Sequence, residues 1–198
     1  MNAYPFYPSR KILVLDGAWD FNFIGDAELE QLDPAEFTFH DVMCVPGAFD
    51  CSPAYYCKRG IALYRTDFTL EQNAPDALLK LGGLGLRARF WIDGREIGFT
   101  NLPYSGVEFK TGKLTAGKHT LCAALDNRFD PEKIKLFLPY YDFYAFGGFY
   151  RGVTLHLLPE GCCIDRVQIR TTDYRTGKVN LRFLFRGDVP ETLAVQLK

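Results

Sequence analysis

Apolar and polar residues alternate one by one along most of this chain, and this feature restricts its fold more than any other. In the segment AWDFNFI, Trp19, Phe21 and Phe23 occupy alternate positions, and LYRTDFTL and GVTLHLL repeat the pattern. Because successive side chains of a β-strand point to opposite faces, this period predicts strands with one buried and one wet face. DAELEQLDPAEF and DPEKIKLF each predict only a turn or two of helix. We therefore expect an all-β fold.

Turn signals separate the predicted strands. In RARFWIDGREIGF, Asp93 and Gly94 stand between two extended runs, which predicts a two-residue hairpin with positive φ at both central positions. In LTAGKHTLCAALDN, the pair Ala116 and Gly117 is interpreted as a turn of the same kind. Many short strands joined by Gly, Pro, Asn and Asp are typical of a β-sandwich or jelly roll. This pattern extends to about Pro159.

The strand pattern starts again after LPEGCC. IDRVQIRTT, VNLRFLFRG and ETLAVQLK each predict a strand, and DYRTGK predicts the turn between the first two. Three strands are too few to close a seven-stranded sandwich of the immunoglobulin type. Either these strands pair with the first domain or the natural polypeptide continues, and we favour a fragment.

The charge balance disfavours several classes of partner. The 23 Lys and Arg residues are scattered and nearly balance 24 Asp and Glu, for a net charge of -1. This pattern disfavours binding to nucleic acid or to an anionic membrane. No run approaches the roughly 18 apolar residues of a membrane span. The N-terminal segment lacks the pattern of a secretory signal, so a cytoplasmic location is expected, although a removed signal would leave the same sequence.

Six cysteines are present, an even number that would suggest bridges in a short secreted chain. This chain is long enough to build its own core and shows no export signal, so reduced thiols are expected instead. No two cysteines have CxxC spacing, and His40, His119 and His156 lie far apart. The sequence therefore predicts no structural zinc site and no cofactor.

Six segments spread over residues 13–158 carry a more specific pattern: LDGAWDFNF, VPGAFD, LYRTDFTL, LGGLGLRARFWIDGREIGF, GKHTLCAALDN and DFYAFGGFYRGVTL. In this order and spacing they resemble the N-terminal sugar-binding domain of glycoside hydrolase family 2, the family of β-galactosidases, β-glucuronidases and β-mannosidases. Residues 162–198 are similar to the opening strands of the immunoglobulin-like domain that follows in this family. The resemblance implies a jelly-roll domain over residues 1–159 and an incomplete immunoglobulin-like domain over residues 160–198.

The family's catalytic TIM barrel is missing from this chain, since such a barrel needs roughly 250 residues of alternating strand and helix. The family's acid/base glutamate follows an asparagine, and no asparagine here is followed by Glu. The resemblance therefore implies a retaining exo-β-glycosidase as the parent protein, with this fragment inactive alone. Its expected partners are a carbohydrate, a β-glycoside, together with the downstream immunoglobulin-like and barrel domains, and homo-oligomers are left open.

The segment PYYDFYAFGGFYRG holds three candidate substrate-binding residues, Asp142, Tyr141 and Tyr144. The resemblance implies that Asp142 contacts sugar hydroxyls. A carboxylate can accept two hydrogen bonds from neighbouring hydroxyls, while adjacent rings cover the C–H groups of the sugar. The alternative is an aspartate that caps its own loop by accepting backbone N–H bonds.

The end of the same segment is interpreted as structural. Gly147 and Gly148 are predicted to supply positive φ or close backbone approach. Arg151 is expected to anchor the loop by stacking on aromatic rings and donating to carbonyls.

The loop DCSPAYYCKRG supplies a fourth candidate, Arg59. In some β-galactosidases the corresponding loop contributes an asparagine to the active site, whereas this sequence has Lys58 and Arg59. A cation would suit an acidic sugar. The alternative is an ordinary surface charge, since most Lys and Arg residues are exposed.

Two other functions fit the same fold. An autonomous carbohydrate-binding module would need its own exposed aromatic platform, and an adhesion or assembly sandwich would need no sugar contact. The interpretation as the N-terminal region of a glycosidase is favoured, because a self-standing module would be expected to end near Pro159. No cluster of Asp and Asn resembles a calcium loop.

Overall fold

The structure is a computed structural model that describes residues 10–134 and 144–195. Within these residues the regular structure is almost entirely β, as the alternating pattern predicts, with short 3₁₀ turns over Leu29–Gln31, Pro34–Glu36, Phe49–Cys51 and Pro53–Tyr55. The strands are β1 (Ile12–Val14), β2 (Gly17–Gly25), β3 (Asp41–Val45), β4 (Gly47–Ala48), β5 (Ile61–Leu70), β6 (Asp76–Leu81), β7 (Leu84–Gly85), β8 (Arg87–Ile92), β9 (Arg95–Thr100), β10 (Val107–Lys110), β11 (Gly117–Asp126), β12 (Gly148–Phe149), β13 (Val153–Leu158), β14 (Cys163–Asp173) and β15 (Lys178–Arg186).

Two larger sheets share one apolar core. The first has the strand order β1-β13-β6-β10, and the second has the order β3-β2-β5-β11-β8-β9. Leu79 and Leu155 of the first sheet belong to the same buried cluster as Trp19, Phe21 and Tyr64 of the second. The all-β sandwich predicted from the sequence is thus confirmed.

Phe149 lies at the centre of this core. Its ring centroid is 5.4 Å from that of Trp19, 5.0 Å from that of Tyr64 and 6.3 Å from that of Phe90. Because Phe149 ends the GGF part of the aromatic segment, that segment is tied into the sandwich by one of its own rings.

Phe90 and Trp91 are neighbours in β8 and pack on opposite sides of the sheet. Phe90 is in the main core, whereas Trp91 is buried in a smaller cluster with Leu29, Ile61 and Leu63. The short 3₁₀ turn at Leu29 thus covers the outer face of the six-stranded sheet.

The hairpin predicted at Asp93 and Gly94 is confirmed. Their φ angles are 51° and 78°, and the turn joins β8 to β9. The Asp93 carboxylate also accepts a hydrogen bond from the Thr120 N–H at 2.9 Å and lies 2.6 Å from Nδ1 of His119. One turn residue therefore ties the hairpin to β11.

The hairpin predicted at Ala116 and Gly117 is wrong, although the strand after it is confirmed as β11. The segment before the turn does not pair with β11, which lies between β5 and β8. Leu114 instead forms an isolated bridge with Ala74, and the Ala116 N–H donates to Oδ1 of Asn73. The prediction used only the residues around the turn. The strands that pair with β11 are distant in sequence, so these local residues do not determine its partners.

The chain divides into two compact units, residues 1–157 and 158–198. In the second unit β14 and β15 form an antiparallel pair with Val167 opposite Phe183 and Ile169 opposite Leu181. A third strand over ETLAVQLK was predicted, but residues 191–195 form no strand, so this prediction is wrong for the part that is described. In the described ranges no helix is long and apolar enough to cross a bilayer.

Candidate functional site

Two of the four candidate residues lie against each other. The guanidinium carbon of Arg59 stands 4.0 Å from the ring centroid of Tyr144. Asp142 and Tyr141 lie outside the described residues. The structure thus brings the loop DCSPAYYCKRG to the end of the aromatic segment.

Arg59 ties three parts of the chain together. Its Nη1 donates to the carbonyl oxygens of Ala145 and Asn127, the latter at 3.0 Å. The same nitrogen lies 3.7 Å from Oδ2 of Asp50, and the Arg59 side chain is 31% exposed. Arg59 therefore anchors the aromatic segment while part of its side chain remains exposed to solvent.

The anchoring predicted for Arg151 is seen at Arg59. Arg151 is exposed, and its backbone N–H donates to the Gly83 carbonyl at 3.4 Å. Among contacts within the described residues, the Arg59 side chain holds the loop at the Ala145 carbonyl.

Asp50 is a fully buried carboxylate at the base of this arrangement. Both of its oxygens accept from the Gly147 N–H, at 3.0 and 2.9 Å, and Oδ2 accepts from Nδ2 of Asn127 at 2.9 Å. Burial raises the pKa of Asp50, although the bonds from Gly147 and Asn127 and the charge of Arg59 oppose the rise. The aromatic segment is thus pinned at Gly147 by a carboxylate that the fold has taken out of water.

Asn127 completes the pinning. Its Oδ1 accepts from the Gly60 N–H at 2.8 Å, and its Nδ2 also donates to the Lys58 carbonyl at 2.9 Å. Since the side chain is buried, both ends of its amide are satisfied by backbone or by Asp50. The end of β11 therefore fixes the backbone that carries Lys58 and Arg59.

Gly147 and Gly148 are needed where the backbone comes close to its neighbours. A Cβ at Gly147 would lie 2.5 Å from Cβ of Asn127 and 2.6 Å from the Phe49 ring. Gly148 has φ of 136° and pairs with Ala48 and Gly85 in the small sheet β4-β12-β7. The close approach and positive φ expected for the glycine pair are both found.

The outer part of the segment presents rings to solvent. Tyr144 and Phe146 are 40% and 36% exposed, and their ring centroids are 4.6 Å apart. Tyr150 is only partly buried, and its hydroxyl donates to the Phe146 carbonyl. Two adjacent exposed rings beside a cation make a surface that suits the C–H face and the polar groups of a sugar.

Lys58 adds a second cation beside Arg59. Its ammonium nitrogen lies 5.1 Å from the Tyr55 ring centroid and 5.5 Å from that of Phe23. The backbone of Lys58 is held by Asn127, while its charged end lies over aromatic faces.

Asp50 and Asn127 were missed by the sequence analysis as members of this site. Both stand in segments of the family resemblance, VPGAFD and GKHTLCAALDN, and each ends its segment. Asn127 directly follows the apolar strand β11, which was the available signal for it, whereas Asp50 lies inside the 3₁₀ turn Phe49–Cys51. Nothing in the sequence showed that the two side chains meet.

A separate charged cleft of about 320 Å³ lies beside Arg87, Asp126 and Arg128. Oδ2 of the buried Asp126 accepts from Arg87 at 2.7 Å and from Arg128 at 3.0 Å. Burial raises the pKa of Asp126, but the bonds from the two arginines outweigh it and leave the pKa below its usual range. This cluster holds β8 to the end of β11.

In the ranges that the structure covers, no group of three or more metal-ligating side chains occurs.

The sequence matches no family model and no curated protein. Solved structures do match. A GH2 β-galacturonidase from Eisenbergiella tayi bound to galacturonate aligns with 90% of this chain at 23% identity and a TM-score of 0.73. A Bifidobacterium dentium β-glucuronidase complexed with coumarin-3-O-glucuronide aligns with 93% at 22% identity and a TM-score of 0.75, and an uncultured Clostridium sp. β-glucuronidase aligns with 94% at 21% identity and 0.73.

This chain has the fold of part of those enzymes. It covers 30% of the galacturonidase chain, 37% of the Bifidobacterium chain and 36% of the Clostridium chain. At these identities the likeness shows the fold, and chemistry has to be argued from this chain's own residues.

Proposed function

We propose that this chain is a non-catalytic N-terminal region of a glycoside hydrolase family 2 enzyme, a retaining exo-β-glycosidase. In this proposal the sandwich shapes one side of a sugar pocket, and the catalytic carboxylates come from a downstream barrel. Such enzymes need two carboxyl groups about 5 Å apart on either side of the glycosidic bond. The jelly-roll and immunoglobulin-like assignments of residues 1–159 and 160–198 belong to the same proposal.

The observation that carries the proposal is the rigid mounting of the aromatic segment. Asp50 holds the Gly147 N–H, and Arg59 holds the Ala145 carbonyl and stacks on Tyr144. Asp142 precedes Tyr144 by only two residues. A mounting of this kind would limit the positions open to Asp142, as preorganised substrate binding requires.

We infer that the substrate is a β-uronide, a glycoside whose sugar carries a carboxylate. Two cations, Lys58 and Arg59, stand where some β-galactosidases have a neutral amide, and arginine suits carboxylates through its forked donors. The matched enzymes are named as glucuronidases and a galacturonidase. In the proposal Arg59, Tyr144, Tyr141 and Asp142 are the substrate contacts from this chain.

The second candidate is an autonomous carbohydrate-binding module. The adjacent exposed rings of Tyr144 and Phe146 favour it, because exposed aromatic platforms bind sugars without help from another domain. The two proposals differ in what this chain does alone.

Isothermal titration of this chain with glucuronate, galacturonate, galactose and mannose separates them. The glycosidase proposal predicts no binding tighter than about millimolar, which corresponds to about -4 kcal/mol. Micromolar binding that is lost in Tyr144→Ala would show an autonomous module instead.

A second arm tests the enzyme itself. The protein encoded by the complete reading frame should hydrolyse an aryl β-glucuronide or β-galacturonide, whereas this chain alone should not. Hydrolysis by this chain alone would contradict the non-catalytic role, and inactivity of the complete protein on both uronides and on an aryl β-galactoside would contradict the glycosidase assignment.

A further inference from the structure

Cys51 and Cys57 are exposed thiols at the two ends of one short loop. Cys51 ends the 3₁₀ turn Phe49–Cys51, and the turn Pro53–Tyr55 bends the chain back between them. Cys57 has φ of 58°, a conformation that residues other than glycine seldom adopt. The loop therefore closes on itself with a cysteine on each arm.

A backbone hydrogen bond brings these two arms together. The Cys57 N–H donates to the Asp50 carbonyl at 3.2 Å. The carbonyl oxygen of one residue and the Cα of the next belong to the same planar peptide group, so the Cα atoms of Cys51 and Cys57 are at most about 7.5 Å apart. Disulfides join Cα atoms about 4.4 to 6.8 Å apart. The pair is thus within reach of a bridge with little backbone movement.

Cys57 also affects the pKa values of Cys51 and of Tyr144. Burial, the charge of Asp50 and Cys57 together raise the pKa of Cys51. Burial raises the pKa of Tyr144, and a hydrogen bond to the Cys57 thiol contributes to the rise. Cys57 is therefore near enough to influence the titration of both Cys51 and Tyr144.

We propose that Cys51 and Cys57 form a reversible intramolecular disulfide, a modification site next to the loop that carries Lys58 and Arg59. The oxidant is a small-molecule disulfide such as oxidised glutathione. The proposal is independent of which sugar the protein acts on.

The exchange proceeds in two balanced steps. The Cys57 thiolate attacks one sulfur of the oxidant, a mixed disulfide forms, and the first glutathione leaves as a thiolate that takes up a proton. The Cys51 thiolate then attacks the Cys57 sulfur of the mixed disulfide and releases the second glutathione. Two electrons pass from the cysteines to the oxidant, and the two cysteine protons end on the two glutathione thiols.

The exchange balances in the same way, with the same product, if Cys51 makes the first attack. The product closes the ring between positions 51 and 57 and removes both thiol protons. Oxidation would thus restrain the loop that precedes Arg59.

Peptide mapping tests the proposal on the chain as it is. Trypsin releases residues 12–58 as one peptide, because no Lys or Arg occurs between Lys11 and Lys58, and this peptide contains Cys44, Cys51 and Cys57. After treatment with oxidised glutathione and alkylation of the native protein, we expect one alkyl group on this peptide instead of three, and a return to three after dithiothreitol.

Cys44→Ser is the matched control, since Cys44 is also exposed but lies in β3. It should keep the bridge, whereas Cys51→Ser and Cys57→Ser should abolish it. Fragmentation of the wild-type peptide decides the pairing even where a variant fails to fold, because cleavage between positions 51 and 57 releases no fragments from a closed ring. Three alkyl groups after oxidation, stable glutathione adducts, or a bridge that persists in Cys57→Ser would each overturn the proposal.

Discussion

Asp50 is a carboxylate with no exposed surface, and its partners explain how the fold accommodates it. It accepts from Gly147 and Asn127 and lies 3.7 Å from Nη1 of Arg59. A buried charge of this kind adds little net stability when it is paired, because desolvation offsets the attraction. Removing the carboxylate is different, since it leaves the Gly147 N–H and one N–H of the Asn127 amide without an acceptor.

We therefore predict that Asp50→Ala lowers the free energy of unfolding by about 2 to 6 kcal/mol, since two buried donors lose their acceptor at about 1 to 3 kcal/mol each. Urea denaturation at neutral pH measures it. Asp26→Ala is the control in the same unit, since the Asp26 side chain is 97% exposed and faces Arg128 at 3.8 Å, and surface pairs contribute about 0 to 1 kcal/mol. Equal effects of the two substitutions would show that Asp50 does not hold the loop.

His156 gives the fold a pH dependence with a definite sign. Burial, with Lys80 and Arg10 nearby, lowers its pKa to about 4, while Glu108 opposes the change. The unfolded chain takes up a proton near the ordinary value of 6.5 and the folded chain resists until about 4, so stability is lost as pH falls through this window. The difference corresponds to about 3 kcal/mol at most.

His156→Gln should therefore flatten the pH dependence between pH 6.5 and 4. Urea unfolding of wild type and variant at a series of pH values measures this, and the difference between the two curves removes the contribution of other groups. Parallel curves across the window would mean that His156 titrates normally in the folded protein.

At the scale of elements, Gly94 and Gly147 show two different physical reasons why a position requires glycine. Gly94 occupies a hairpin position with φ of 78°, and a Cβ there would meet nothing within 4 Å. Gly147 has no room, because a Cβ would meet Asn127 and Phe49. The first position is restricted by backbone conformation and the second by packing.

Gly94→Ala should cost about 1 kcal/mol, the conformational penalty of positive φ. Gly147→Ala should cost more, about 1 to 3 kcal/mol for overpacking plus the disturbance of the bonds to Asp50. Thermal unfolding of the two variants under the same conditions measures which substitution lowers stability more. A larger loss of stability for Gly94→Ala would contradict the close approach at Gly147.

The two predicted hairpins show what a local sequence pattern can and cannot predict about strand pairing. Asp93 and Gly94 predicted their hairpin because the turn chemistry and the pairing partners are adjacent in sequence. Ala116 and Gly117 carry similar turn residues, yet β11 pairs with β5 and β8. Pairing between distant strands depends on how both faces are buried, and alternation alone does not contain this information.

At the scale of the whole molecule, alternation predicted an all-β chain, and the shared core of the two sheets confirms it. The candidate site was predicted only in part. Arg59 was selected because it departs from the asparagine of some β-galactosidases, and Tyr144 because it flanks Asp142 in the aromatic segment. Their mutual contact and the mounting by Asp50 and Asn127 join residues up to 97 positions apart. Such contacts follow from the folded topology, so residue types in one segment could not predict them.

We propose that the aromatic segment mounted by Asp50 and Arg59 brings Asp142 into contact with a sugar in the complete enzyme. The most direct test is kcat/KM on an aryl β-uronide for the complete protein carrying Asp142→Ala, with Asp26→Ala as the control. We predict a fall of about ten to a thousandfold for Asp142→Ala, as for loss of a charged hydrogen-bond partner, and no change for the control. Unchanged kcat/KM in a folded Asp142→Ala enzyme would contradict the claim and make Asp142 a loop cap.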